Sequence, residues 1–305
     1  MFVGFDTSNY TTSAALFDGE TVIQRKKLLD VKPGDKGLRQ SDAVFQHIVN
    51  MPKLINSLQE DITDISAVAV STRPRNKEGS YMPCFLVGEN TANAAAAFAN
   101  CSVYKTSHQV GHILAALYST HRLDLISDSF IAFHLSGGTT EALLVTPDSE
   151  EIIKADIIAK SSDLKAGQAI DRTGVMLGMN FPCGKELDSL AVKSKMNYKI
   201  KPSFQKLDCS LSGIENKAQK MFYNGEEPEN IAKFVISYII ASIDMMLDKI
   251  IAEYGNMPVV FSGGVSSNSM LQNIIKEKYG ALFASPEFSC DNAAGVAIYA
   301  YLKSK

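Results

Sequence analysis

The strongest constraint on the fold is an internal repeat. Laid over each other, residues 4–17 (GFDTSNYTTSAALF) and 132–145 (AFHLSGGTTEALLV) agree at six of fourteen positions. The matches are Phe5/Phe133, Ser8/Ser136, Thr11/Thr139, Thr12/Thr140, Ala14/Ala142 and Leu16/Leu144. Each segment reads as strand, polar turn, strand. Two readings are open. Two hairpins can converge by chance, because Ser/Thr turns and Ala/Leu strands are common. Alternatively, one domain is present twice, each copy opening on a hairpin whose turn faces a central cleft. Strands and helices alternate after each hairpin, which argues an α/β fold. The 305 residues suit about two domains of roughly 150 residues. They divide into 1–125 and 126–305, with the last helix free to pack back on the first domain.

The turns point to a ligand class. A turn rich in Gly, Ser and Thr offers converging N–H groups and hydroxyls, which suit phosphate oxygens. Ser136-Gly137-Gly138-Thr139-Thr140 is the richer of the two turns. Taken alone it also reads as an ordinary Gly-Gly hairpin. A third glycine site, Gly263-Gly264-Val265-Ser266-Ser267-Asn268, follows an apolar strand and opens a helix. Such a switch lets a base or ribose lie against the backbone, although a tight strand–helix turn uses the same glycines. No GxxxxGK[ST] signature is present, which disfavours a P-loop enzyme.

His108 and His112 stand at i and i+4 on an expected helix, so both imidazoles can meet one ion. Such a pair is also common by accident. The zinc-protease pattern places Glu after the first His, and this chain has Gln109. A further ligand is needed. Asp291 is a candidate, with a helix cap as its alternative role; His121, His134 and His47 are the other histidines to weigh.

Composition narrows the class. The chain is 46% hydrophobic and 21% charged, which excludes a disordered or low-complexity protein. A net charge of −3 argues against a chain that coats nucleic acid by itself. Arg25-Lys26-Lys27 and the Arg73/Arg75/Lys77 loop are small basic clusters, and neither is interleaved with aromatics. The five cysteines form no CxxC pair, which suits free thiols in a reducing cytoplasm. The most apolar stretch, 234–247, is interrupted by Asp244 and reads as a buried helix rather than a membrane span.

The order of the pieces is specific. A D-T-S hairpin is followed by HxxxH, S-G-G-x-T, G-x-A-x-D, F-P-x-G, S-x-S-G, G-G-V-x-x-N and C-D-N-A-A. From Gly4 to about Tyr299 the chain resembles the TsaD family of tRNA threonylcarbamoyladenosine synthases, formerly called O-sialoglycoprotein endopeptidases. The resemblance implies the duplicated actin/sugar-kinase/heat-shock-ATPase (ASKHA) fold. It implies one iron or zinc ion on His108, His112 and Asp291. It also implies an adenine nucleotide (threonylcarbamoyl-AMP, ATP or ADP) at Ser136, Gly137, Gly138, Thr139, Asp171, Gly184, Asp188, Gly263, Gly264 and Asn268. The activity implied is transfer of a threonylcarbamoyl group from threonylcarbamoyl-AMP to an adenosine of tRNA. The partners implied are subunits that help hold tRNA, namely a paralogous dimerisation partner and an ATPase, with no membrane.

The chain departs from the family pattern in places. The family's E-T-S-C-D-E-T hairpin becomes Asp6-Thr7-Ser8-Asn9-Tyr10-Thr11-Thr12, without the two acidic turn residues. SGGHT becomes SGGTT, and the Lys of S-G-L-K becomes Glu215. The glycine segment after the fourth strand becomes the polar loop from Arg73 to Gly79. These changes keep a second reading in view: a divergent member that binds nucleotide and metal as a regulator or assembly partner, or that carbamoylates another acceptor. A metalloprotease comes third, because the motif lacks a general base.

Overall fold

The structure is a computed structural model that describes residues 1–8, 10–31 and 38–305. Asn9 of the first turn therefore lies outside the described residues. The chain forms two compact units. The first is Met1–Asp128, Thr146–Ala155 and Glu287–Lys305, and the second is Ser129–Val145 and Asp156–Pro286. The C-terminal segment thus belongs with the N-terminal unit.

In the first unit, β1 (Phe2–Asp6), β2 (Thr11–Phe17), β3 (Val22–Leu28), α1 (Gln40–Asn56), β4 (Ala67–Arg73), α2 (Phe85–Ala99), β5 (Ser102–Ser107) and α3 (His108–Ser119) follow one another. The sheet order is β3-β2-β1-β4-β5. β1 is antiparallel to β2 and parallel to β4. The central strands FVGFD and AVAVSTR are near-continuous apolar runs, as expected where both faces are covered. β3 is one edge, and it carries Arg25, Lys26 and Lys27, charges that discourage pairing with another sheet. The core packs Val3, Phe5, Leu16, Val68 and Val70 against Ala92 and Ala96 of the alanine-rich α2.

The second unit is built on β6 (Phe130–Leu135), β7 (Thr140–Asp148), β8 (Ile152–Lys160), α4 (Ala166–Met176), α5 (Gly184–Ala191), the small hairpin β9 (Ser203–Gln205) and β10 (Asp208–Ser210), α6 (Ser212–Tyr223), α7 (Pro228–Tyr254), β11 (Val259–Ser262), α8 (Ser269–Tyr279) and β12 (Leu282–Phe283). The short α9 (Pro286–Ser289) and α10 (Ala294–Lys303) end the chain. The sheet order is β12-β11-β6-β7-β8. β6 is antiparallel to β7 and parallel to β11. Strand for strand this is the order of the first sheet, so the repeated hairpins are the matching first pair of each unit. Of the two origins open for the repeat, the matching order favours duplication.

The 234–247 stretch lies within α7, whose Pro228 occupies the first turn, where a missing N–H costs nothing. Asp244, the charge that interrupts the stretch, accepts a hydrogen bond from the Tyr279 hydroxyl at 2.6 Å and one from Lys278 at 2.8 Å. Among the described residues no helix is long and apolar enough to cross a membrane. Expectation and structure part at the C-terminus. The sequence of residues 289–302 reads as a single closing helix, whereas α9 and α10 are separated by an irregular turn, residues 290–293. That turn carries Asp291.

Candidate functional site

The metal candidates come together in the first unit. Ser107 closes β5 and caps α3, its hydroxyl accepting from the Val110 N–H at 3.3 Å. The helix then places His108 and His112 one above the other, with ring nitrogens Nε2 and Nε2 2.9 Å apart. Asp291 Oδ1 lies 3.1 Å from His112 Nε2 and 3.5 Å from His108 Nε2. Asp291 does not cap the last helix. Asn292 takes that work, its Oδ1 accepting from the Ala294 N–H at 2.9 Å while its Nδ2 donates to the Cys290 carbonyl at 2.6 Å. His47 sits on α1 and His134 on β6 of the other unit, and neither they nor His121 belong to the cluster among the described residues.

The donor set fits a metal ion. Two imidazoles and one carboxylate suit iron(II) or zinc. Donors about 2.0–2.2 Å from such an ion, at tetrahedral or octahedral angles, stand roughly 2.9–3.5 Å apart. The three separations seen here, 2.9, 3.1 and 3.5 Å, fall in that range. The two ring nitrogens face each other at hydrogen-bond distance, and both lone pairs could be turned to one cation between them.

The surroundings are strongly polar, with His108 and Asp291 only partly buried. Asp6, at the end of β1, is fully buried, and its Oδ2 lies 2.8 Å from His108 Nδ1. The same carboxylate accepts from the Ser71 hydroxyl and from the Ser8 N–H. Burial opposes the charge on Asp6, but His108 and these hydrogen bonds outweigh it and hold the carboxyl below its ordinary value. Burial likewise opposes a charged His108, but the Asp6 and Asp291 carboxylates raise it to about 10. Asp291 is held well below its ordinary value, because both histidines overcome its burial. Thr11 stands where the family pattern has an acid, and its hydroxyl donates to Asp291 Oδ2 at 3.4 Å.

The nucleotide candidates lie in the second unit, where a cavity of about 580 Å³ is found. Gly137, Asp171, Gly184, Asp188, Gly264 and Asn268 line it; Ser136, Gly138, Thr139 and Gly263 do not. Ser136 instead closes its turn, its N–H donating to the Thr139 carbonyl at 2.8 Å. Gly263 has φ +92°, and a Cβ there would lie 2.3 Å from the Leu135 carbonyl oxygen, so only glycine lets β11 turn beside β6. Asn268 caps α8 by accepting from the Leu271 N–H at 2.9 Å, and its amide donates to Asp188 Oδ1 at 2.8 Å. Asp171 accepts from the Cys183 N–H at 2.9 Å, and burial raises its pKa. Val265 and Ser267 of the third glycine site also line the cavity, as do Lys185 and Ile170, which were not singled out from the sequence. The charge reversal at Glu215 is matched by Arg172, 2.7 Å away.

Comparison with known proteins agrees with this architecture. The family described as TsaD, tRNA N6-adenosine threonylcarbamoyltransferase, matches residues 26–298. A protein of Francisella philomiragia named tRNA N6-adenosine threonylcarbamoyltransferase is 27% identical over 100% of this chain and 95% of its own length. One of the same name from Kosmotoga olearia is 30% identical over 86% of this chain and 80% of its own. Among solved structures, component A of the Acidaminococcus fermentans (R)-2-hydroxyglutaryl-CoA dehydratase superposes with a TM-score of 0.58 at 15% identity, covering 99% of this chain and 98% of that one. Full-length HypF, in its phosphate- and nucleotide-bound form, gives 0.61 at 15% identity over 99% of this chain and 55% of that one. These likenesses establish the two-domain ASKHA fold. The match across residues 26–298 establishes more: the chain belongs to the TsaD family of tRNA N6-adenosine threonylcarbamoyltransferases.

Proposed function

We propose that this acyltransferase moves a threonylcarbamoyl group from threonylcarbamoyl-AMP to the N6 amine of a tRNA adenosine, using one iron or zinc ion. The observation that carries the metal dependence is the convergence of His108, His112 and Asp291, whose ligating atoms lie within 4.8 Å of one another. The donor is a mixed anhydride with AMP as leaving group. When bound, the ion supplies Lewis-acid polarisation of the acyl carbonyl. His108, His112 and Asp291 would hold it, and the buried Asp6 carboxylate would orient His108. The second unit would take the adenylate in the cavity beside Gly137 and Gly264. The exposed glycine Gly137, at the cavity wall, offers a backbone N–H suited to charge growing on a departing phosphate.

The nucleophile in this reading is the adenosine amine, so the protein needs none of its own. The thiols agree with that. Burial pushes Cys84 and Cys209 up to about 11 and raises Cys183 as well, so none of these three is poised as a thiolate. The net charge of −3 and the short basic clusters support a tRNA held together with partner subunits, a paralogous dimerisation partner and an ATPase. The test is reconstitution: purified protein with such partners, synthetic threonylcarbamoyl-AMP and unmodified tRNA, with the nucleosides read by mass spectrometry. Threonylcarbamoyladenosine should form and should vanish with His112→Ala. Absence of product from a metal-loaded, nucleotide-binding protein would favour the divergent reading.

A further inference from the structure

We infer that the first hairpin is the outer shell of the metal centre, with Asp6 and Thr11 as its positioning residues. This rests on the reading of His108, His112 and Asp291 as ligands. Asp6 Oδ2 lies 2.8 Å from His108 Nδ1, while His108 Nε2 faces His112 and Asp291. One ring nitrogen is therefore held by a carboxylate and the other is turned to the ligand cluster. A carboxylate accepting from Nδ1–H fixes the tautomer, leaves the lone pair on Nε2, and makes that nitrogen a stronger donor to a metal.

Asp6 is itself held from two further sides. It accepts from the Ser8 N–H at 2.9 Å and from the Ser71 hydroxyl of β4, and its side chain is closed off from solvent. An acid so buried and so tied cannot swing into the ligand set, but it can hold a ring in place. On the adjacent strand, Thr11 donates to Asp291 Oδ2 at 3.4 Å. That leaves Asp291 Oδ1, the oxygen nearest both histidines, as the ligating atom. Two of the three ligands are thus oriented by residues of one hairpin, 102 and 280 positions away in sequence. The threonine does by a hydroxyl what an acid at that place could not do beside another carboxylate, because like charges so close repel.

The experiment uses the full-length chain, stripped of metal and titrated with zinc against a chromophoric chelator. Cobalt(II) substitution gives a second readout, the visible band that reports ligand geometry. Asp6→Ala should weaken zinc binding about 10- to 100-fold, the range for loss of such an outer partner. Asp6→Asn retains an acceptor for Nδ1–H and should recover a large part of the affinity and the wild-type cobalt band. Thr11→Val should broaden or shift the cobalt band with a smaller loss of affinity. Asp6→Ala that binds zinc as tightly as wild type overturns the proposal; if that variant does not fold, Thr11→Val decides, and an affinity and band both equal to wild type there overturn it. Wild-type protein that takes up no zinc would instead overturn the metal reading on which it rests.

Discussion

Gly295 of α10 packs so closely on α3 that a methyl group at position 295 would lie 1.8 Å from the Gly111 carbonyl oxygen. Gly111 is the residue before His112, and Asp291 lies just before α10. The closeness of these two helices therefore sets how far the carboxylate stands from the histidines. Gly295→Ala should force them apart, at a cost of about 1–3 kcal/mol for overpacking. Urea unfolding would read the loss, and bound metal should fall with it. Unchanged stability and full metal content would show that the helices have room to adjust.

Replacing His112 by Ala leaves one imidazole and one carboxylate, too few for a closed or catalytic site. The purified wild-type protein should carry about one iron or zinc ion per chain, and His112→Ala should lose it on dialysis. Elemental analysis checks both. Metal retained at the same stoichiometry in the variant would place the ion elsewhere.

The repeat made the sheet order readable, because a hairpin found twice demands two similar surroundings. The histidine pair was legible from its i,i+4 spacing. Asp291 was not legible from spacing, since it lies 179 residues from His112 and arrives only through the α3–α10 contact. Asp6 was hidden for the same reason. In the sequence it is one polar residue of a hairpin, and only the parallel pairing of β1 with β4 and of β4 with β5 brings it to His108. β8 escaped notice because IIKADIIAK breaks strict alternation, with apolar pairs separated by charges. Lys185 escaped because it follows the FPxG turn and gains meaning only from the cavity it lines.

His47 is a buried imidazole whose Nδ1 lies 2.8 Å from the Thr12 hydroxyl. Burial lowers its pKa from 6.5 to about 4, despite the opposing pull of Asp6. The unfolded chain therefore binds this proton and the folded one refuses it. The associated stability is complete above about pH 6.5 and is lost as pH falls from 6.5 toward 4. Over that window the loss should amount to about 3 kcal/mol, at 1.36 kcal/mol per pH unit. His47→Gln, which has no such proton to bind, should show a flatter pH dependence in urea unfolding of the metal-free protein. An identical slope in both proteins between pH 6.5 and 4 would assign the acid sensitivity to other groups.

Asn268 lines the cavity of the second unit, yet both ends of its amide are engaged within the protein. Oδ1 caps α8 through the Leu271 N–H, and Nδ2 donates to Asp188, which also accepts from the N–H and hydroxyl of Ser269. Three substitutions separate these two bonds. Asn268→Ala removes both and should cost about 1–2 kcal/mol, the upper range for a lost helix cap. Asn268→Ser restores the cap alone and should recover most of that. Asn268→Asp also caps well, but it sets a second carboxylate 2.8 Å from Asp188 Oδ1, where wild type has a donor. Repulsion between them should make the aspartate variant less stable than the serine one at pH 7, and the gap should narrow toward pH 4 as one carboxylate takes up a proton. Urea unfolding at the two pH values reads the order directly. Equal stability of the aspartate and serine variants at pH 7 would mean that Asp188 is free to turn away, and that the cap, rather than the Asn268–Asp188 bond, holds the glycine loop beside the cavity.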